Sequence, residues 1–283
     1  MSVEVAIAAR AELGEGPRWD AATERLLWVD IEGRTLHVSD PGTGDDRTIA
    51  LDDRAGVAVP ATDGRVLVAL AGRLALLDLA DESFETLVPF PHGPRLRTND
   101  GACDARGRFW VGTTELEFAP RAGSLYRYDG ALVEILPDVT LSNGLGWSPD
   151  GTLMYYVDSL TYRVDVFDFD GVPSGRRPFV AVDRADGIPD GLAVDDEGGV
   201  WLALYGGACV RRYDSGGALD RVVELPAENV TACCFGGPDR RHLYVTTAAP
   251  DGRVYVADAG VTGPAAQPFH STAPSDAEPT SRR

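Results

Sequence analysis

The sequence predicts an all-β protein, a six-bladed β-propeller with a central channel, on three observations. A short apolar strand recurs six times at nearly constant spacing. Hairpin-turn residues precede most copies, and a second, alternating hairpin follows. No segment of useful length carries a helical hydrophobic period. Four short strands per ~40–50 residues is the signature of a propeller blade.

In chain order the copies are Leu26-Leu27-Trp28-Val29, Val66-Leu67-Val68-Ala69, Arg108-Phe109-Trp110-Val111, Met154-Tyr155-Tyr156-Val157, Val200-Trp201-Leu202-Ala203 and Leu243-Tyr244-Val245. With Trp28, Val68, Trp110, Tyr156, Trp201 and Tyr244 as markers, the steps are 40, 42, 46, 45 and 43 residues. Asp63-Gly64, Arg106-Gly107, Asp150-Gly151 and Glu197-Gly198 supply the turns ahead of four copies. Strands such as Leu36–Asp40, Leu125–Asp129, Val164–Asp168, Val210–Asp214 and Val254–Asp258 alternate and end on Asp. Val3 to Ile7 reads as a strand that joins the last copy and closes the ring. Residues 1–261 are therefore expected to form one domain. Residues 262–283, rich in Pro, Ser, Thr and Ala, read as a mobile tail. The tryptophans at 19, 28, 110, 147 and 201 fall at blade positions, where core packing is expected. Asp30 and Asp158 are placed to accept backbone N–H bonds between blades.

Of 283 residues, 44% are apolar and 25% charged, an ordinary globular balance. All 26 basic side chains are Arg, against 44 acidic ones, for a net charge of −18. That charge repels phosphate backbones and anionic lipid, so neither nucleic acid nor a membrane surface is an expected partner. No apolar run approaches the ~20 residues of a bilayer span. Met1-Ser2-Val3-Glu4 lacks the basic start of a secretory signal, so the expected location is cytoplasmic. The cysteines at 103, 209, 233 and 234 form no C-x-x-C pair and read as buried free thiols. The four His (37, 92, 242, 270) show no ligand spacing, and no G-x-S-x-G elbow occurs, which argues against a His-rich zinc site and a Ser-His-Asp triad.

Residues at one phase of a propeller repeat converge on its axis, because the innermost strands line the channel. Glu15 lies 13 residues before Trp28, and Asn143 lies 13 before Tyr156. Asn99 lies 11 before Trp110, and Asp190 lies 11 before Trp201. Both intervals are odd, so the four side chains face one way from their strands. Blades two and six carry Val57 and Thr231 at the corresponding places. Asn or Asp beside Gly also suits a tight turn, and Asn143-Gly144, Asp100-Gly101 and Asp190-Gly191 have that look. Composition weighs against the turn: of the chain's three Asn (99, 143, 229), two stand at the convergent phase. Carboxylates meeting amide oxygens, without His or thiolate, suit a hard divalent cation such as Ca²⁺, Mg²⁺ or Mn²⁺. Without one, Glu15 and Asp190 would repel each other.

Glu15-Gly16-Pro17 with Leu27–Ile31, Arg97–Gly101, Ser142–Leu145 with Tyr156–Ser159, Pro189–Gly191 and Cys233–Gly237 together resemble the SMP-30/gluconolactonase family. The resemblance runs in order from about residue 12 to about 258. It implies a six-bladed propeller with one divalent cation in its channel and hydrolysis of sugar-acid lactones; animal members are called regucalcin. By the same resemblance Glu15, Asn143 and Asp190 are the metal ligands. Asn99 and Arg97 bind substrate, and Glu117 falls where the family has a substrate-binding glutamate, with Glu115 as the neighbouring alternative. Asp190 also matches the residue that accepts or donates the proton.

The expected activity is metal-dependent opening of an aldonolactone by water, of gluconolactonase type. Ca²⁺ is the foremost cation, with Mg²⁺, Mn²⁺ and Zn²⁺ as alternatives. Two other classes remain open: a metal-dependent phosphotriester or ester hydrolase on the same fold, and a non-enzymatic Ca²⁺-binding interaction propeller.

Overall fold

The computed structural model describes residues 2–271. Their 24 strands fall into six antiparallel sheets of four, arranged as the six blades of a propeller. In five blades the chain runs outward strand by strand, from channel to rim. The sixth closes as expected: Val3–Ile7 pairs with Val254–Asp258, so both ends of the ring share one sheet. The inner strands are Gly14–Asp20, Ala55–Pro60, Leu96–Cys103, Ser142–Trp147, Ile188–Val194 and Val230–Gly236. The only helical elements among the described residues are the 3-10 turns Ser159–Thr161 and Arg184–Asp186. No helix there is long and apolar enough to cross a membrane.

The recurring apolar segment is the second strand of each blade. It is buried on both faces because blades stack face to face, and one apolar cluster fills each of the six seams. Trp28, Trp110 and Trp201 are fully buried and Trp19 nearly so. Trp147 is half-buried and meets Trp110 edge-on. A buried aspartate six residues before two of these tryptophans locks the hairpin between first and second strands. Trp110 Nε1 donates to Asp104 at 2.9 Å and Trp201 Nε1 to Asp195 at 2.8 Å. Arg108 and Arg212 pair with the same two carboxylates. The turns need Gly107 (φ 71°) and Gly198 (φ 83°), where a side chain would be strained. All four cysteines are buried and free, as expected.

Asp30 and Asp158 accept backbone N–H bonds from the segments that join the preceding blade to their own. Asp30 takes those of Glu12 and Leu13, and Asp158 those of Thr140 and Leu141. Leu13 bridges to Ala248 of blade six and Leu141 to Thr114 of blade three, so these bonds tie neighbouring blades together, as expected. One expectation is corrected: residues 262–271 are not a free tail. They cross the end of the channel where the inner strands finish. Ala266 N–H bonds to Trp19 O, Phe269 N–H to Pro60 O and His270 N–H to Gly107 O. Polar and small residues dominate this stretch, but Phe269 buries its ring in the seam between blades two and three and anchors it. The remainder of the expected tail, 272–283, lies outside the described residues.

Candidate metal centre

The ladder between first and second strands slips once in every blade. The slips fall between Glu15 and Arg18, Ala55 and Val57, Thr98 and Gly101, Ser142 and Leu145, Pro189 and Leu192, and Val230 and Ala232. A bulge adds an unpaired residue and re-aims its side chain. Asn99, Asn143 and Asp190 lie inside the bulges, and Glu15 stands at the edge of its own. Asn143-Gly144 and Asp190-Gly191 are thus bulged strand, not turns. Gly144 is required by close approach: a Cβ there would lie 2.5 Å from the backbone nitrogen of Leu192 in the next inner strand. These glycines let the strands close around a narrow channel.

Three predicted residues, Arg97, Asn99 and Asn143, form one hydrogen-bonded group. Arg97 Nη1 donates to Asn99 Oδ1 at 2.5 Å. Asn99 Nδ2 donates to Asn143 Oδ1 at 2.9 Å and to Ser142 O at 2.7 Å. Asn143 Nδ2 is held by Ser159 Oγ at 2.9 Å, which turns its amide oxygen toward Asn99. Ser142 Oγ in turn accepts from Tyr156 OH at 2.6 Å. Thr231, at the same phase in blade six, is turned to backbone and donates to Gly14 O at 2.6 Å. Val57 is buried.

The two carboxylates are electrostatically unsettled. Glu15 is buried and accepts only from the N–H of Gly16, at 3.0 Å. Burial first, then the charge of Asp100, pushes its carboxyl up to about 8. Asp190 is raised well above the ordinary carboxylate range by burial, then by Glu15 and Asp100. Its Oδ1 is buried and has no hydrogen-bond partner. Among the described residues neither carboxyl is held in a salt bridge, although the charge of Arg97 acts on both. Arg18 Nη2 is bound to Asp100 at 2.9 Å and to Gly101 O at 2.7 Å. Arg97 is directed at Asn99, and burial draws its guanidinium down from its ordinary value. Among the described residues no three His, Cys, Asp or Glu side chains meet as a metal group. The oxygen groups singled out from the sequence are two carboxylates, Glu15 and Asp190, and the amide of Asn143. An orphaned carboxylate oxygen, two buried carboxyls raised above their ordinary range and donors that are all oxygen fit a hard divalent cation.

Glu117 stands apart from this group. The strand ends at Glu115, so the two glutamates do not share a face. Glu115 is buried, bound by Arg95 and by the N–H groups of Glu117 and Ala119. Glu117 is 82% exposed, with Arg95 at 3.6 Å. Tyr162 carries the Arg184 guanidinium over its ring at 4.1 Å. The Arg18–Asp100 pair escapes sequence reasoning. Asp100 looks like a turn residue there, and the one available signal is an arginine inside a strand otherwise destined for the channel.

Residues 13–249 match the sequence profile of the SMP-30/Gluconolactonase/LRE-like region. A Bacillus subtilis protein provisionally named sugar lactone lactonase YvrE is 38% identical over 246 residues, 84% of each chain. Regucalcin of Danio rerio is 36% identical over 256 residues, covering 88% of this chain and 87% of its own. Among solved structures, a calcium-binding protein, regucalcin, from Agrobacterium tumefaciens superposes with a TM-score of 0.92 at 28% identity, over 95% of this chain and 97% of that one. With the profile spanning most of the chain and relatives this similar over nearly their full length, the chain belongs to the SMP-30/gluconolactonase family.

Proposed function

We propose that this protein hydrolyses the lactone of a sugar acid, at a divalent-cation site formed by Glu15, Asn143 and Asp190. Membership of a family with a named lactonase relative supports the reaction class. The observation that carries the site is the orphaned, buried Oδ1 of Asp190 facing the Glu15 charge. Ca²⁺ suits the oxygen donors and accords with the calcium-binding relative; Mg²⁺, Mn²⁺ and Zn²⁺ are the alternatives.

When bound, the cation supplies positive charge that polarises an oxygen of the lactone or of water. The remaining work falls to the side chains. Asp190 takes a proton from the attacking water as the new C–O bond forms at the lactone carbonyl. It returns that proton to the ring oxygen as the ring C–O bond breaks, so water is consumed and a hydroxy acid leaves. Arg97 and Asn99, already joined, orient the ring hydroxyls. Glu117, exposed on the loop after its strand with Arg95 at 3.6 Å, offers its carboxylate to a further hydroxyl.

A pH-stat panel of aldonolactones, run with metal-stripped and reconstituted protein, tests this reading. Turnover lost on stripping and regained with a divalent cation is the expected result. Full turnover in the stripped protein would remove the cation from the reaction. Cation-dependent stability with no turnover of any lactone would leave a non-enzymatic ion-binding propeller.

A further inference from the structure

A cavity of about 380 Å³ adjoins the proposed site and shares Arg97 with it. It lies between blades two and three, at the end of the channel where the inner strands begin. Its volume falls within the ~300–1,000 Å³ of small-molecule pockets. Arg97 uses only Nη1 in hydrogen bonds, to Asn99 Oδ1 and Thr98 O; its Nε and Nη2 make none. On another wall, Arg54 is held by Glu32 through Nε and Nη2, both at 2.8 Å, leaving Nη1 free. Asp53 accepts the Arg54 N–H through Oδ1, leaving Oδ2 as an acceptor. Leu116 is 42% exposed at the rim. Oriented donors, one acceptor and an apolar ledge are what a sugar ring needs.

Charge argues for a neutral ligand. Arg54 is matched by Glu32, and Arg97 faces Glu15 and Asp190 as well as Glu32. No uncompensated positive charge remains to favour a carboxylate or phosphate. Two glycines leave the cavity open: a Cβ on Gly72 or Gly93 would meet nothing within 4 Å, and neither has a positive φ. Side chains are therefore permitted there by the backbone.

We propose that the cavity walled by Arg54, Arg97, Asp53 and Leu116 is a subsite for a neutral, hydroxyl-rich substituent at the distal end of the substrate. The preferred substrate is then a glycosylated aldonolactone, larger than a single sugar-acid lactone. This rests on the lactonase reading for its chemistry, but not for binding.

Two readouts separate the subsite from the reaction. Calorimetry compares cellobiitol with sorbitol, neither of which is hydrolysed. Turnover compares cellobionolactone with gluconolactone and with a glucarolactone carrying a distal carboxylate. Two added hydrogen bonds of ordinary net strength give roughly tenfold tighter binding of cellobiitol and a similar gain in kcat/KM for cellobionolactone. Gly72→Phe and Gly93→Phe, on separate loops, should each erase both gains and leave gluconolactone turnover unchanged. Equal binding of the two alditols overturns the proposal, as does a preference for glucarolactone or an equal loss on every lactone in both variants. Tight cellobiitol binding that the variants erase, with no lactone turned over, supports the subsite and sinks the hydrolase reading alone.

Discussion

Asn99 of blade three donates to the amide oxygen of Asn143 of blade four at 2.9 Å, across the channel side of the seam between them. The bond joins the residue bound to Arg97 with the residue bound to Ser159, so Arg97, Asn99, Asn143 and Ser159 are linked in one chain. Under the proposed function, displacing either amide should disturb both substrate orientation and cation binding.

Replacing Asn143 by Ala removes one oxygen of the proposed cation site and leaves an Asn99 N–H without its acceptor. Cation affinity should fall by about 1–3 kcal/mol, roughly five- to 150-fold. The fold should survive, because the strand around it keeps its ladder. Calorimetric metal titration decides this, and unchanged affinity would remove Asn143 from the site.

The raised carboxyls make the metal-free protein sensitive to pH. Glu15 has a folded value of about 8 against an ordinary 4.5, so the folded state binds more protons than the unfolded between those limits. Stability should be greatest below about 4.5 from this group and decline as pH rises through about 8. Asp190 shifts in the same direction. A cation competes with those protons, so the gain in Tm on adding Ca²⁺ should grow from pH 5 to pH 8. A gain independent of pH, or none, would contradict the cation's placement between Glu15 and Asp190.

Glu117→Gln should leave the fold intact, because the side chain is exposed and its nearest cation lies at 3.6 Å. If it binds a substrate hydroxyl equally in ground and transition states, KM rises while kcat is little changed. Parent values for both constants would take Glu117 out of the substrate's reach.

Phe269 ties the chain across the far end of the channel, so Phe269→Ala should destabilise by about 3 kcal/mol through lost burial in its seam. Denaturant melts measure it. A change near zero would mean that the segment contributes little to the ring's stability.

The blade count and the ring closure are legible in the sequence because a marker strand buried between neighbouring blades must be apolar at every repeat. Trp28, Trp110 and Trp201 report that constraint directly. The convergence of Glu15, Asn99, Asn143 and Asp190 is legible for a related reason: phase within a repeat is position around an axis. The bulges are not legible, since parity treats a strand as regular while each inner strand slips once at the site. Arg18 and Asp100 are hidden because a buried ion pair between blades one and three leaves no local pattern. Residues 262–271 mislead because composition describes solubility, whereas one aromatic ring decides the docking.

The most direct test of the account is kcat for Asp190→Asn, measured at cation concentrations shown by titration to saturate the variant. The amide oxygen is still able to coordinate but does not accept a proton at neutral pH, so the account predicts turnover roughly 10²–10⁴-fold below the parent with the site full. Recovery to near the parent rate under saturating cation would contradict it and reduce Asp190 to a ligand.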